Sequence, residues 1–519
     1  DAVNLIDGVS HEEALCVTMS IVKFQIFLYK AACITSDYLV TPVVFLKVEG
    51  DGGPNGNNMN PPWERLLGNY KEFSVVSFKQ NCKWGVLNTK KVSWYKRLKV
   101  AGFETILYRT LLRIFAVLPK SLLTKKVFIY RENELVIETA TSLALSGVRI
   151  SSLKPEGVPI NEDIKFFEHI REKITPIIDK RISDYVIPEL SNKCKEIFFE
   201  ELNAKLNLFY KQRSVWKTSI DNVKKEKGAV LTNHPSGFQG LAITSLCREK
   251  NIPVITAQHG VTHEISKYYD EIEFGSDPNT CDCYLAYNKT SAKIAENSHF
   301  SIGKSFIAGI SLRHLRMSSM KIKRSNFLPL VYVSTNIYKG NLGAFIGSLR
   351  DFDRSIKEKH LITKVFSNLP YKVRYKTYPE DNRRYPDLDP VFNLIESYPN
   401  LELFSEKIDM RYLYDAHQII MTSRATSTLG WAIMSNKPVV FINWRENNPL
   451  TKEAEESFKK GMFLFNDDDK DFHEQLLLFL SKPYIEIERE WMLKSSDRQR
   501  MIESFFSTSG SNAGKQSAK

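Results

Sequence analysis

The stretch from Gln418 to Asn443, QIIMTSRATSTLGWAIMSNKPVVFIN, constrains the fold more than any other part of the chain. QIIM is a short apolar run. TSRATST is a hydroxyl-rich loop with one arginine. LGWAIMSN spells a helical turn or two, ended by Asn436-Lys437-Pro438, and VVFIN is a second apolar run rich in β-branched residues. Two strands joined by a helix in so few residues form a parallel βαβ unit. Its polar loop lies at the carboxyl end of the first strand, where open α/β sheets bind ligands. The hydroxyls of Thr422, Ser423, Thr426, Ser427 and Thr428, with the N–H groups opening the helix, suit a phosphate. They suit an ordinary Ser/Thr helix cap equally well.

The same rhythm runs through much of the chain. Lys126 to Leu153 reads strand (KVFIY), helix (ENELVIETATSLALSG), strand (VRISSL). From Gly228 come the strand AVLTN, the turn HPSGFQG entering a helix, the strand and loop IPVITAQHG, the strand CDCYLAYN, a short helix and the strand SFIAGI. A basic stretch, Arg313 to Asn326, reads as a linker. A second set opens with LPLVYVSTN (328–336), continues through YKVRYKTYP and LELFSE, and reaches the βαβ unit. The expectation is an α/β protein of two Rossmann-like domains facing a cleft. The first covers residues 1–320 with a helical insertion at about 160–226. The second covers 321–487, a helix over 488–506 crosses back, and 507–519, rich in Gly, Ser and Lys, is expected to be a disordered tail.

The chain has 519 residues and a formal net charge of +12. That excess favours an anionic partner: nucleotide, anionic glycan, membrane surface or nucleic acid. Seven scattered cysteines suggest a reducing compartment without a disulfide framework. Cys281-Asp282-Cys283 is too close for a zinc knuckle and has no matching pair, so no metal is expected. No signal peptide is read. The apolar region Ala14 to Val48 is interrupted by Lys23, Lys30 and Asp37, so no membrane-spanning run is expected and the location is expected to be cytoplasmic. Thr105 to Leu123 has apolar residues at helical spacing with Arg109, Arg113 and Lys120 off that face. It reads either as a core-packed helix or as one lying on a membrane surface.

Four segments in order carry a family resemblance. IPVITAQHG (252–260) is similar to an "IPVV-x-x-QHG" strand and loop. LPLVYVSTN (328–336) is similar to the first strand of a donor half. YKVRYKTYPE (371–380) is similar to "hhhKxHPxE", with Tyr378 where histidine is usual. MTSRATSTLGWAIMSNKPVVFI (421–442) is similar to "xxSSSxxxEAhxxGKPVVhh". Residues 228–445 thus resemble the GT-B glycosyltransferases that build bacterial surface carbohydrates, the capsule and O-antigen transferases, including those using CMP-activated acidic sugars, and the related CDP-glycerol transferases. The resemblance implies an N-terminal acceptor half and a C-terminal half binding a nucleotide sugar. It implies transfer to a glycan or lipid-linked acceptor, with the leaving phosphate held by helix N-termini and basic side chains rather than a metal. Two departures bear on the donor: Thr377-Tyr378-Pro379 replaces the His-Pro pair, and Gly430 or Trp431 replaces the glutamate that holds ribose hydroxyls.

Glycosyl transfer needs a gripped nucleotide, a stabilised leaving phosphate and, for inversion, a base for the acceptor hydroxyl. Candidates for the donor site are Ser334, Thr335 and Asn336 on one loop, Ser423, Arg424, Ser427 and Thr428 on another, with Lys376 and Tyr378 between them. Arg424 beside hydroxyls suits a phosphate or sugar carboxylate, or is a solvated surface arginine. Glu406 ends a strand and either touches base or ribose or caps a helix. His259, in Gln258-His259-Gly260 just past a buried strand, is placed for general-base work, or is a structural histidine at the cleft rim. Glu264, His234, His263 and Asp270 are its rivals.

Other patterns are set aside. Asp387-Leu388-Asp389 has a DxD form but lies between prolines in a charged loop, and Asn288-Lys289-Thr290 fits a glycosylation acceptor that a cytosolic protein would not use. No nucleic-acid recognition module is visible, so nucleic acid is not an expected partner. Two function classes stay open: a transferase, and a non-catalytic nucleotide- or carbohydrate-binding subunit of the same fold.

Overall fold

The computed structural model describes residues 8–40, 44–49, 62–67, 74–79, 93–119, 121–160, 167–235, 237–267, 277–317, 328–334, 351–377, 391–406, 408–446, 449–508 and 512–519. Asp270, Thr335, Asn336, Tyr378 and the Asp387-Leu388-Asp389 triplet lie outside the described residues, as does most of the basic linker.

Strands β1 (Val44–Glu49) and β2 (Ser74–Lys79) pair in parallel as a small separate sheet. Strands β3 (Lys126–Ile129), β4 (Arg149–Ser152), β5 (Ala229–Asn233), β6 (Val254–Ala257), β7 (Cys283–Ala286) and β8 (Lys304–Ile307) form a parallel sheet in the order β4-β3-β5-β6-β7-β8. Strands β9 (Leu328–Val333), β10 (Val373–Lys376), β11 (Leu401–Phe404), β12 (His417–Thr422), β13 (Val439–Asn443) and β14 (Phe463–Asn466) form a second, ordered β11-β10-β9-β12-β13-β14. Helices cover these sheets, so their central strands must be apolar on both faces. VVFIN of β13 shows the result, with all five residues buried. Two parallel six-stranded sheets with crossover helices make the two-domain GT-B layout implied by the sequence.

Strand order reverses between β3 and β5 in the first sheet and between β9 and β12 in the second. Crossover helices leave opposite faces of the sheet at such a point, which opens a crevice beyond the carboxyl ends of the strands. The loops after β9 and β12 carry Ser334 and the Ser423–Thr428 run. The loop after β5 carries His234, and β6, beside it, leads to His259.

A helical cluster stands beside the first sheet. Helices Phe167–Ser183 and Pro188–Lys225 pack with His11–Val40 and Trp63–Leu67. Ile170, Ile174, Ile178 and Ile182, four apart on one helix, are all buried, the stripe expected of a helix with one core face. They share a core with Phe24, Phe27, Phe198 and Phe209. By length and composition His11–Ser36 is apolar enough to cross a membrane. The reading of Lys23 and Lys30 as interruptions therefore undervalued it. In the fold one face of this helix packs on the cluster, and buried Glu12 pairs with Arg248 at 2.8 Å.

The chain ends on the half where it began. After helices Tyr484–Leu493 and Ser495–Phe505, the Thr508 N–H donates to the Tyr287 carbonyl at 3.2 Å and the Ile310 N–H to the Ser507 hydroxyl at 3.2 Å. The Gly/Ser/Lys-rich end, expected to be disordered, forms the helix Ala513–Ala518 against Glu134–Leu145. Small residues allow the approach: a Cβ at Gly514 would lie 2.5 Å from the Glu138 Cβ.

Candidate functional site

On the first half, β5 ends at Asn233 and β6 leads into Gln258-His259-Gly260. The rings of His234 and His259 lie 5.0 Å apart, tilted by 31°. His234 sits in the left-handed backbone region at φ +39°, and its carbonyl accepts from the Arg131 guanidinium at 3.0 Å. His259 is exposed, and its Nδ1 is 3.1 Å from the Asn233 side-chain oxygen. That oxygen only accepts, so Nδ1 carries the hydrogen, and in the neutral ring Nε2 carries the lone pair. The loop is held from behind, where the Asn133 amide donates to the Gln258 carbonyl at 2.8 Å.

Glu264 is placed differently from these histidines. It is 1% exposed and accepts from the Gln258 amide at 2.8 Å, the Asn288 amide at 3.2 Å and the Thr262 N–H at 2.9 Å. Burial pushes its carboxyl above the ordinary range, opposed by those hydrogen bonds. Gln258 also accepts from the Tyr287 N–H at 2.8 Å, and Asn288 caps the helix Lys289–Asn297 through Ser291. Asn288 therefore has a structural use that its glycosylation-like triplet did not signal. His263 and Glu264 line a cavity of about 560 Å³ with Lys293, His299 and Glu453.

On the second half, Ser334 and Ser423 end the adjacent strands β9 and β12. Ser423 is buried with its hydroxyl 3.2 Å from the Tyr332 hydroxyl, and Tyr332 and Tyr375 both donate to buried Glu358, at 2.8 and 2.7 Å. These ties fix both strand ends. Ser334 is buried and its N–H donates to the Lys376 carbonyl at 3.0 Å. Arg424, Ser427 and Thr428 are half-buried around the start of the helix Ser427–Met434, whose cap residue Thr426 makes no side-chain cap bond. Lys376 is 1% exposed. Its ammonium donates to the carbonyls of Thr377 at 3.2 Å and Glu406 at 3.3 Å and lies over the Phe404 ring. Burial lowers its pKa to about 8, against the pull of Asp409 and Glu406. Lys376 and Glu406 thus meet, with the lysine aimed at backbone.

The two halves touch where these loops face each other. A Cβ at Gly260 would lie 3.0 Å from the Ser427 Cβ. Gly260 is needed for this approach of a backbone to the neighbouring helix. One residue pair thus joins the histidine loop to the hydroxyl loop.

A clamp beside that contact went unread in the sequence. Trp431 stacks on His314 with ring centroids 3.4 Å apart and 14° between planes, and the Arg411 guanidinium lies 4.7 Å from the Trp431 ring centroid. Arg411 and Arg313 both reach Glu134 of the first half, the latter at 2.9 Å. Burial would raise Glu134, but Arg411, His314 and Arg313 hold it down to about 2, while burial pushes His314 down to about 3. A Cβ at Gly430 would meet Val261 at 3.4 Å. Gly430 and Trp431 therefore serve contact between the halves. Partners such as Glu134 and Arg411 lie too far apart in sequence for periodicity to link them. Among the described residues no group of three or more His, Cys, Asp or Glu is arranged to hold a metal ion.

No protein-family profile and no curated protein sequence matches this chain. Among solved structures it is similar to a glycosyltransferase from Rickettsia africae ESF-5, at 14% identity over 76% of this chain and 96% of that one, TM-score 0.41. It is also similar to Anabaena HepE in complex with UDP-glucose, at 10% identity over 76% and 98%, TM-score 0.42. A third similar structure is a putative UDP-N-acetylglucosamine 2-epimerase from Listeria monocytogenes, at 8% identity over 75% and 93%, TM-score 0.39. Overlays this loose assign no donor, acceptor or residue role.

Proposed function

We propose that this chain is a glycosyltransferase. A nucleotide-activated sugar binds beyond β9 and β12, and an acceptor hydroxyl enters beyond β5 and β6. The observation that carries this reading is the Gly260–Ser427 contact, which sets exposed His259, with half-buried His234 against it, beside a hydroxyl-lined helix N-terminus. The helix N-terminus and Arg424 stabilise the leaving phosphate without a metal, as fixed dipoles and charges aimed at a developing anion. His259 takes the acceptor proton on Nε2, and Asn233 holds its tautomer. His234 lies against the same ring, and Glu264 positions the loop through Gln258 and Asn288. Lys376 ties together the loops after β10 and β11, beside the donor site. A CMP-activated acidic sugar is the donor we favour, with a glycan or lipid-linked acceptor of surface polysaccharide synthesis on the cytoplasmic side.

One observation favours a second reading. Trp431 and Gly430 are packed between the halves where ribose would be held, which suits a nucleotide- or carbohydrate-binding subunit without turnover. A panel of CMP-, UDP-, GDP- and CDP-activated donors separates the two. Transfer from any of them supports the enzyme; binding without transfer from all of them supports the subunit. With a productive donor, His259→Ala should lower kcat by roughly 10²–10⁴ and leave donor affinity intact. The wild-type rate should fall as pH drops through the imidazole pKa, because only the neutral ring accepts a proton. A folded His259→Ala protein with near-normal kcat removes the base assignment.

A further inference from the structure

The helix Phe103–Val117 turns apolar residues outward. Phe103, Ile106, Ile114 and Val117 are exposed by 65%, 47%, 43% and 82%. With exposed Thr110 they fall at spacings of three and four, hence along one face of the helix. The opposite face is the one in the core, through Tyr108 and Phe115. Exposed Arg109 and Arg113 flank the outward stripe, and Leu122 is exposed beyond it. The preceding helix, Trp94–Ala101, joined through Gly102, exposes Trp94 by 75% and Tyr95 by 67%. A solvent-facing helix face is ordinarily polar, so an apolar stripe broken by Thr110 alone marks a surface that is covered in use.

Charge says by what. Residues 103–126 hold five Lys or Arg and a single acid; Glu104 is paired with Arg316, Arg109 with Glu132 and Lys126 with Glu226, and exposed Arg113 flanks the stripe. Tryptophan and tyrosine with an apolar stripe and basic flanks match the boundary of a bilayer with negative headgroups. We propose that Trp94–Val117 docks the protein on an anionic lipid surface. The position connects to the site: Tyr108 and Arg109 both donate to Glu132, at 2.8 and 2.9 Å, and the next residue, Asn133, holds the Gln258 carbonyl. The docking helix is therefore tied, through its inward-facing Tyr108 and the flanking Arg109, to the segment that holds the His259 loop. The inference goes beyond the transferase reading and does not depend on it, because lipid binding requires no donor or turnover.

Co-sedimentation of the full chain with vesicles tests it. The chain should bind vesicles containing about a third phosphatidylglycerol, bind phosphatidylcholine alone weakly, and release with added salt. Arg113→Gln should weaken binding about fivefold at low salt. The triple variant Phe103→Ser, Ile106→Ser, Val117→Ser should weaken it about tenfold or more. All four residues are exposed, so an unchanged thermal midpoint should accompany each loss. Trp94→Phe, which keeps the fold whatever the triple variant does, should remove the vesicle-induced blue shift of tryptophan emission. Equal binding to neutral and anionic vesicles, full binding by the triple variant, or a solution dimer that the triple variant dissociates would each overturn the proposal.

Discussion

Replacing Glu134 by glutamine tests how firmly the halves are locked. Glu134 is largely buried and receives Arg313 and Arg411, while Asp409 also pairs with Arg411. Its carboxyl is held at about 2 against an ordinary 4.5. A depressed carboxylate contributes stability above its unfolded pKa and loses it as pH falls through the folded value. The difference corresponds to about 3 kcal/mol at pH 7. Asp409 still compensates Arg411 in the variant, so the expected loss is about 2–3 kcal/mol. The measurement is guanidinium unfolding of both proteins at pH 7 and at about pH 3.5. The gap between them should narrow by roughly 1.4 kcal/mol at the lower pH, where the unfolded carboxyl has largely protonated and the folded one has not. A gap under about 0.5 kcal/mol at pH 7, or one that does not change with pH, refutes the clamp as a load between the halves.

Gly260→Ala should cost about 1–3 kcal/mol and raise the donor KM, because its methyl group meets Ser427; Ser427→Gly in the same chain should restore much of the loss, and additive effects of the two changes in thermal unfolding would rule out the contact. Arg424→Ala should weaken donor binding or slow turnover by on the order of 2 kcal/mol without changing stability, and unchanged donor kinetics would remove it from the site. Glu264→Gln should destabilise by about 1–3 kcal/mol by disturbing the Gln258, Thr262 and Asn288 bonds. The acid limb of its pH–rate profile should stay in place, and disappearance of that limb would make Glu264 the base.

The strands of the two large sheets were legible because covered parallel strands must be continuous apolar runs, and β9, β12 and β13 are such runs between polar loops; β1 and β2 were not read. Loop position followed from the same argument, which is how Ser423, Ser427 and His259 could be named together. The burial of Glu264 was not legible: a carboxylate two residues past Thr262 reads as loop polarity until the fold wraps Gln258 and Asn288 around it. Nor was the use of Trp431, whose stacking partner His314 lies in a segment that reads as basic linker. The C-terminal helix was missed because Gly, Ser and Lys suggest solvation, whereas Ala513 and Gly514 are small enough to lie against another backbone.

The bond between Ile310 and Ser507 has a mechanical consequence. Phe505 and Phe506 pack on Phe458 of the second half, while the next two residues, Ser507 and Thr508, bond the first. Four consecutive residues therefore staple one half to the other, and any movement of the halves apart pulls on that staple.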